Sequence, residues 1–105
     1  MNELDAILNP EKAVAFYPKL ARLTGSIKAA IFLSQLCSWG KENAEGWVRK
    51  TADEIEKATF LTRREQELVR KTLKEKGFIT EGLTGLPACL TFRANLSTIS
   101  KETVR

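Results

Sequence analysis

Arginine and glutamine are the side chains that pair bidentately with the guanine and adenine edges in a DNA major groove. This sequence places Arg63, Arg64 and Gln66 directly after Thr62, at the start of a helical pattern. Thr62 and Glu67 complete the group expected to be exposed there. One and two turns further along, Arg70, Lys71 and Lys74 stand where phosphate contacts supply affinity without sequence information. The helix N-terminus and the Thr62 hydroxyl can also meet a phosphate. Between Thr62 and Lys76 six basic residues face three acids, so the basic excess is concentrated on one element. The ordinary alternative is a solvated helix surface, on which Glu67 and Lys71 form an i,i+4 ion pair. Glu65 fits a capping role better than base reading. Glu67 repels phosphate, which argues either for a chosen base contact or against deep insertion.

The elements that position these residues are announced by two helix-start signals eleven positions apart. Thr51-Ala52-Asp53-Glu54 and Thr62-Arg63-Arg64-Glu65 are both capping boxes, in which threonine accepts from a free backbone N–H and glutamate reaches back. Two helices beginning so close together leave only a brief turn at Thr59-Phe60-Leu61, the spacing of a helix-turn-helix over residues 51–76. Lys50 and Thr51, at the start of the first of these helices, are natural backbone contacts. Ala52, Ile55 and Ala58 give that helix an inner face. Leu61, Val69 and Leu73 do the same for the second, with Leu68 flanking the stripe.

Gly77 fits the left-handed position that ends a helix. Strands are expected over 78–81 and 88–93, around a turn at 82–87, which makes a wing over 78–93. In the second strand Leu90 and Phe92 share one face, and Cys89, Thr91 and Arg93 the other. Trp47-Val48-Arg49 is a short strand that joins the edge of this hairpin in a three-stranded sheet. The wing loop has no lysine or arginine, Glu81 is negative, and Arg93 is the basic residue positioned to help. The wing is therefore expected to be chiefly structural, or to offer the backbone N–H groups of Gly82, Thr84 and Gly85. Leu83 and Leu86 at its tip are the alternative, a partner contact.

Upstream, residues 1–8 read as a loose arm. Asn9-Pro10-Glu11 resembles a helix start. Whether 13–17 stays helical or extends before Pro18 is open, because a residue before proline is biased away from the helical region. Pro18 opens a short helix over 18–23 that Thr24-Gly25 ends. Ser26 caps a helix over 27–39 that is apolar around most of its circumference, which makes it a central core helix or a homodimer face anchored by Phe32, Leu36 and Trp39. Residues 40–46 form a polar loop. Asn95 caps a last short helix, with Leu96 and Ile99 packing back.

Composition narrows the function classes. The 105 residues suit one domain with one modest core, of mainly α class with a small antiparallel sheet. The net charge is +4, with a pI near 9.3. There is no histidine, so no Ser-His or Cys-His base is available to a nucleophile. The two cysteines, Cys37 and Cys89, have no metal-ligand spacing and read as small hydrophobes in a reducing compartment. No metal or cofactor is expected and the chain is not read as an enzyme. The apolar run 27–39 is too short and too interrupted to span a membrane. The acidic N-terminus is unlike a secretory signal, which makes the cytoplasm the expected location.

Residues 25–36, 46–51, 61–67 and 83–88 together resemble the winged-helix domains of phage and plasmid replication proteins. The resemblance covers about Phe16 to Asn95. It implies a domain of the kind found at the N-terminus of replication initiators and replisome organisers, which often bind origin DNA, and it sets Thr62-Arg63-Arg64-Glu65-Gln66 at the start of the recognition helix. Such proteins usually continue into a region that recruits helicase or loader. This chain stops at Arg105, so that activity is expected to be absent unless the chain is a fragment. The expected partner is duplex DNA, with replication proteins and a second copy of the chain as further candidates. Two alternatives stand beside replication: a transcription regulator of the same fold, and a winged helix used as a protein-interaction module.

Overall fold

Threonine and glycine punctuation sets the boundaries of the elements in the computed structural model, which describes residues 16–42, 44–85 and 89–103. Helix α1 (Pro18–Thr24) opens on its proline and ends where Gly25 turns left-handed at φ 74°, its N–H donating to the Ala21 carbonyl. Tyr17 is extended, so the helix begins at Pro18 and not before. Helix α2 (Ile27–Gly40) is capped by Ser26, whose hydroxyl accepts from the Ala29 N–H at 3.2 Å. Strand β1 (Trp47–Arg49) leads into α3 (Ala52–Thr59) and α4 (Arg63–Glu75). Strands β2 (Ile79–Thr84) and β3 (Cys89–Ala94) follow, then α5 (Leu96–Thr103). The described residues are thus mainly helical, with one small antiparallel sheet of order β1-β3-β2. The expected arm, the helix start at Asn9 and the loop residues Leu86 and Pro87 lie outside the described residues.

Helix α2 is the centre of the core. Ala29, Ala30, Phe32, Leu33 and Leu36 are all fully buried, against Ile55, Leu73 and Phe92 from the elements around them. Phe32 meets Phe92 edge-to-face, with ring centroids 5.8 Å apart. The expectation of Phe32 and Leu36 as anchors of a homodimer face is therefore corrected. Both are 1% exposed inside their own chain, and Trp39 is half-buried under Lys50.

The sheet has an inner and an outer face, with Thr91 buried on the outer one. Val48, Phe92 and Glu81 lie in one row across it and face the helices. Trp47, Arg93 and Thr80 form a row on the outer face. The first hairpin strand starts at Ile79, one residue later than the sequence pattern placed it, because Phe78 completes the end of α4. Gly77, at φ 76°, donates to the Lys74 carbonyl, and the Phe78 N–H donates to the Leu73 carbonyl. This paired closure brings buried Phe78 onto buried Leu73.

Asn95 differs from its expected role as a side-chain cap. Its amide donates to the Gly77 carbonyl at 2.9 Å and its oxygen accepts from the Thr80 hydroxyl, so it bolts the start of α5 to the end of α4. Leu96 is also corrected. It is 63% exposed, and Ile99 alone of that pair packs into the core.

Helix α4 has one buried stripe, and truncations along it should separate sharply. Leu73→Ala should cost about 2–5 kcal/mol of unfolding free energy, as a buried leucine does. Leu68→Ala, on the solvent side of the same helix, should stay within about 0.5 kcal/mol. Urea titration of both variants measures the difference.

Candidate nucleic-acid interface

Both capping boxes are formed in full. The Thr51 hydroxyl accepts from the Glu54 N–H at 3.1 Å while Glu54 accepts from the Thr51 N–H at 3.0 Å. Thr62 and Glu65 repeat the exchange at 3.2 and 3.0 Å. Each threonine oxygen accepts from the glutamate N–H, and each hydroxyl also lies against the carboxylate of the same glutamate. Between the helices, Phe60 closes α3 in the left-handed region with its N–H on the Glu56 carbonyl at 2.7 Å. The Thr59 hydroxyl donates to Ile55 and accepts from the Leu61 N–H, which fixes the turn from inside.

Gln66 is the main correction to the expected site. It is 3% exposed, and its amide donates to the Ala52 carbonyl at 3.0 Å and the Leu61 carbonyl at 2.8 Å. A glutamine held at both hydrogens inside the protein does not read a base. It fixes the angle at which α4 leaves α3. Period 3.6 explains the placement, because Gln66 falls on the same stripe as Val69 and Leu73.

Arg70 is corrected as well. Its Nε and Nη2 donate to the two carboxylate oxygens of Glu81 at 2.7 and 3.2 Å, and its guanidinium lies 5.5 Å from the centroid of the Phe92 ring. Lys74 joins the same carboxylate at 3.2 Å while remaining about half exposed. These pairs hold the Glu81 carboxyl below its ordinary range, against the opposing effect of burial. The acid that looked like a repulsive charge on the wing instead holds the hairpin to α4.

What remains outward is a narrower set than the sequence proposed. With 100° per residue, Arg64, Leu68 and Lys71 lie opposite the buried stripe, flanked by Arg63 and Glu67. All five are exposed. Arg63 has a loose contact with Asp53 at 3.6 Å, both side chains being open to solvent. Thr51 and Thr62 sit at the two helix starts beside this face. Lys50 leans over the Trp39 ring at 5.1 Å. Arg93 stands apart from the group. It stacks 5.9 Å from the Trp47 ring on the outer side of the sheet, away from Arg70 and Phe92.

Two exposed apolar residues belong to this region and were not among the site residues expected from the sequence, Phe60 and Leu68. Leu68 was visible as a leucine outside the buried periodicity. Phe60 was visible only as the middle residue of the expected turn, and its left-handed backbone carries no signal in the sequence.

Among the described residues no cluster of histidine, cysteine, aspartate or glutamate can hold a metal ion. Both cysteines are unpaired, and burial pushes the Cys37 thiol up, away from a reactive thiolate. No helix described is long and apolar enough to cross a membrane. No family model, curated protein or solved structure matches this chain.

Glu65 gives the site a pH signature. Lys28 at 2.6 Å, together with the N–H and hydroxyl of Thr62, holds its carboxyl at about 2. An unfolded glutamate titrates near 4.3, roughly. A depressed folded value stabilises above the unfolded value, and that contribution is lost as pH falls from about 4 toward 2. Glu65→Gln should therefore flatten the loss of stability with pH in that window, measured by urea unfolding at stepped pH. An unchanged slope would assign the acid sensitivity to other groups.

Proposed function

We propose that this chain is a winged helix-turn-helix domain that recognises duplex DNA, with α3 and α4 as the helix-turn-helix, α4 as the recognition helix and the β2–β3 hairpin as the wing. The observation that carries the reading is the outward face of α4. Arg63, Arg64 and Lys71 are exposed at and beyond a capped helix start, on a helix whose opposite stripe is fixed by Gln66, Val69 and Leu73. Major-groove insertion requires that combination of a rigid mount and open cations. In this reading Arg63 and Arg64 face base edges, Thr51, Thr62 and Lys71 meet phosphates, and Lys74 lends its exposed half. The resemblance to replication proteins makes initiation at an origin, in the cytoplasm of a host cell, the preferred setting. A transcription regulator uses the same residues on an operator.

A second reading, a protein-interaction module, is favoured by the neutralisation of Arg70 and Lys74 through Glu81 and by the lack of cations in the wing loop. The two readings separate in a salt series on short random duplexes. DNA recognition predicts affinity that falls steeply with salt and enrichment of a sequence motif. Absence of binding at low salt would favour the interaction module.

Individual residues have distinct expected effects. Arg64→Ala should lose about 1–3 kcal/mol on the selected sequence and relax preference at one base position. Lys71→Ala should weaken all sequences evenly and lower the salt slope by about one. Arg70→Ala should instead leave the salt slope unchanged and lower the melting temperature, since it strips Glu81 of its bidentate partner.

A further inference from the structure

Phe60 is the described residue whose conformation and exposure are hardest to assign to folding. It sits at φ 63°, the one non-glycine at positive φ among the described residues. The residue is 91% exposed, the highest value of any large hydrophobic residue described. Glycine or asparagine ordinarily holds such a position, because a Cβ there crowds the following carbonyl. The turn does not need the ring. Its shape is held by the Phe60 N–H on Glu56, by the Thr59 hydroxyl on Ile55 and Leu61, and by Gln66 on the Leu61 carbonyl. The chain therefore holds an aromatic ring in a strained conformation and presents it to solvent. Such strain concentrates where a contact uses it.

The surroundings select the contact. Leu68, the other exposed apolar side chain of this region, stands on the outward stripe of α4, while Thr59, Leu61 and Ile55 around Phe60 are buried, so the ring rises alone from its own turn. It stands three and four residues before Arg63 and Arg64, at the mouth of α4, with exposed Lys57 on the turn before it. In a major groove the apolar feature is the C5-methyl of thymine, and phenylalanine is one of the side chains that meets it. We propose that Phe60 is an apolar base reader, its ring packing on the methyl of a thymine adjacent to the bases faced by Arg63 and Arg64. This rests on the reading of α4 as the recognition helix.

The test compares the full chain with Phe60→Gly and Phe60→Asn, both of which accept the left-handed backbone. Each protein is titrated with the duplex that wild type selects from a random pool, and with the same duplex carrying deoxyuridine in place of thymine. Wild type should bind the thymine duplex about fourfold more tightly, the contribution of burying one methyl group. Both variants should lose that ratio, bind the two duplexes equally, keep the wild-type salt slope and melt no lower than wild type.

A wild type indifferent to the methyl would overturn the proposal, as would variants that keep its preference. A melting temperature lowered in both variants would make the ring structural and overturn it as well. Self-association lost in the variants, with unchanged DNA binding, would assign the ring to a protein contact instead. Failure of wild type to bind any duplex at low salt is a separate outcome, which removes the DNA reading itself and this proposal with it.

Discussion

The carboxamide of Gln66 joins three pieces of backbone: the start of α3, the turn after it and α4. Its two hydrogens reach the first residue of α3 and the last turn residue before α4, while its stem lies in the core stripe of α4. A buried carbonyl stripped of its donor costs about 1–3 kcal/mol. The buried Leu61 carbonyl and the part-buried Ala52 carbonyl converge on one side chain, so the angle between α3 and α4 is fixed by directional bonds as well as by packing. Apolar contacts alone tolerate sliding and repacking. A pair of directional hydrogen bonds inside the same core does not.

A second constraint ties the hairpin to this unit. Glu81 lies mid-strand, on the inner face of the sheet, in register with Phe92. Its carboxylate takes both arms of Arg70 and the Lys74 ammonium, and the Arg70 guanidinium lies over the Phe92 ring. Shifting α4 relative to the sheet would leave a largely buried carboxylate without its partners. The same pairing determines where positive charge remains. Glu65 engages Lys28, and Glu81 engages Arg70 and Lys74, so internal acids draw off several of the cations that composition credits to the surface. The exposed remainder on α4 is Arg63, Arg64 and Lys71, and Glu67 stands among them.

The sequence carried the punctuation of this fold well. Both capping boxes, the glycine stops at 25 and 77, the serine cap at 26 and the short strand at Trp47 were legible because each is a local signal with a local mechanism. That Trp47–Arg49 joins the hairpin was legible as well, but a hairpin has two edges, and the order β1-β3-β2 came only with the fold. Long-range pairing was not legible. The 3.6 period put Gln66 on the stripe of Val69 and Leu73, but its polar side chain was read as exposed because the carbonyls of Ala52 and Leu61 that satisfy it are supplied only by the folded turn. Arg70 and Glu81 are eleven residues apart, on a helix and a strand, and their pairing exists only once the hairpin folds back. Phe32 and Leu36 were ambiguous because a helix apolar all round is equally a core helix or an interface until its neighbours are known.

Helix α4 thus divides its work by angle. Residues 66, 69 and 73 point inward and set the mount, while 64, 68 and 71 point outward and are free of it. The two stripes share a backbone but no described side-chain partner. Substitutions across them should therefore combine nearly additively, whereas substitutions within the Gln66 or Glu81 networks should not. This arrangement lets the outer stripe vary over many side chains without disturbing the angle of presentation. Threonine at both helix starts serves the inner network, since each hydroxyl accepts from the N–H of its glutamate partner and closes the capping box. The inner network holds the shape of the surface while the outer stripe sets what that surface can contact.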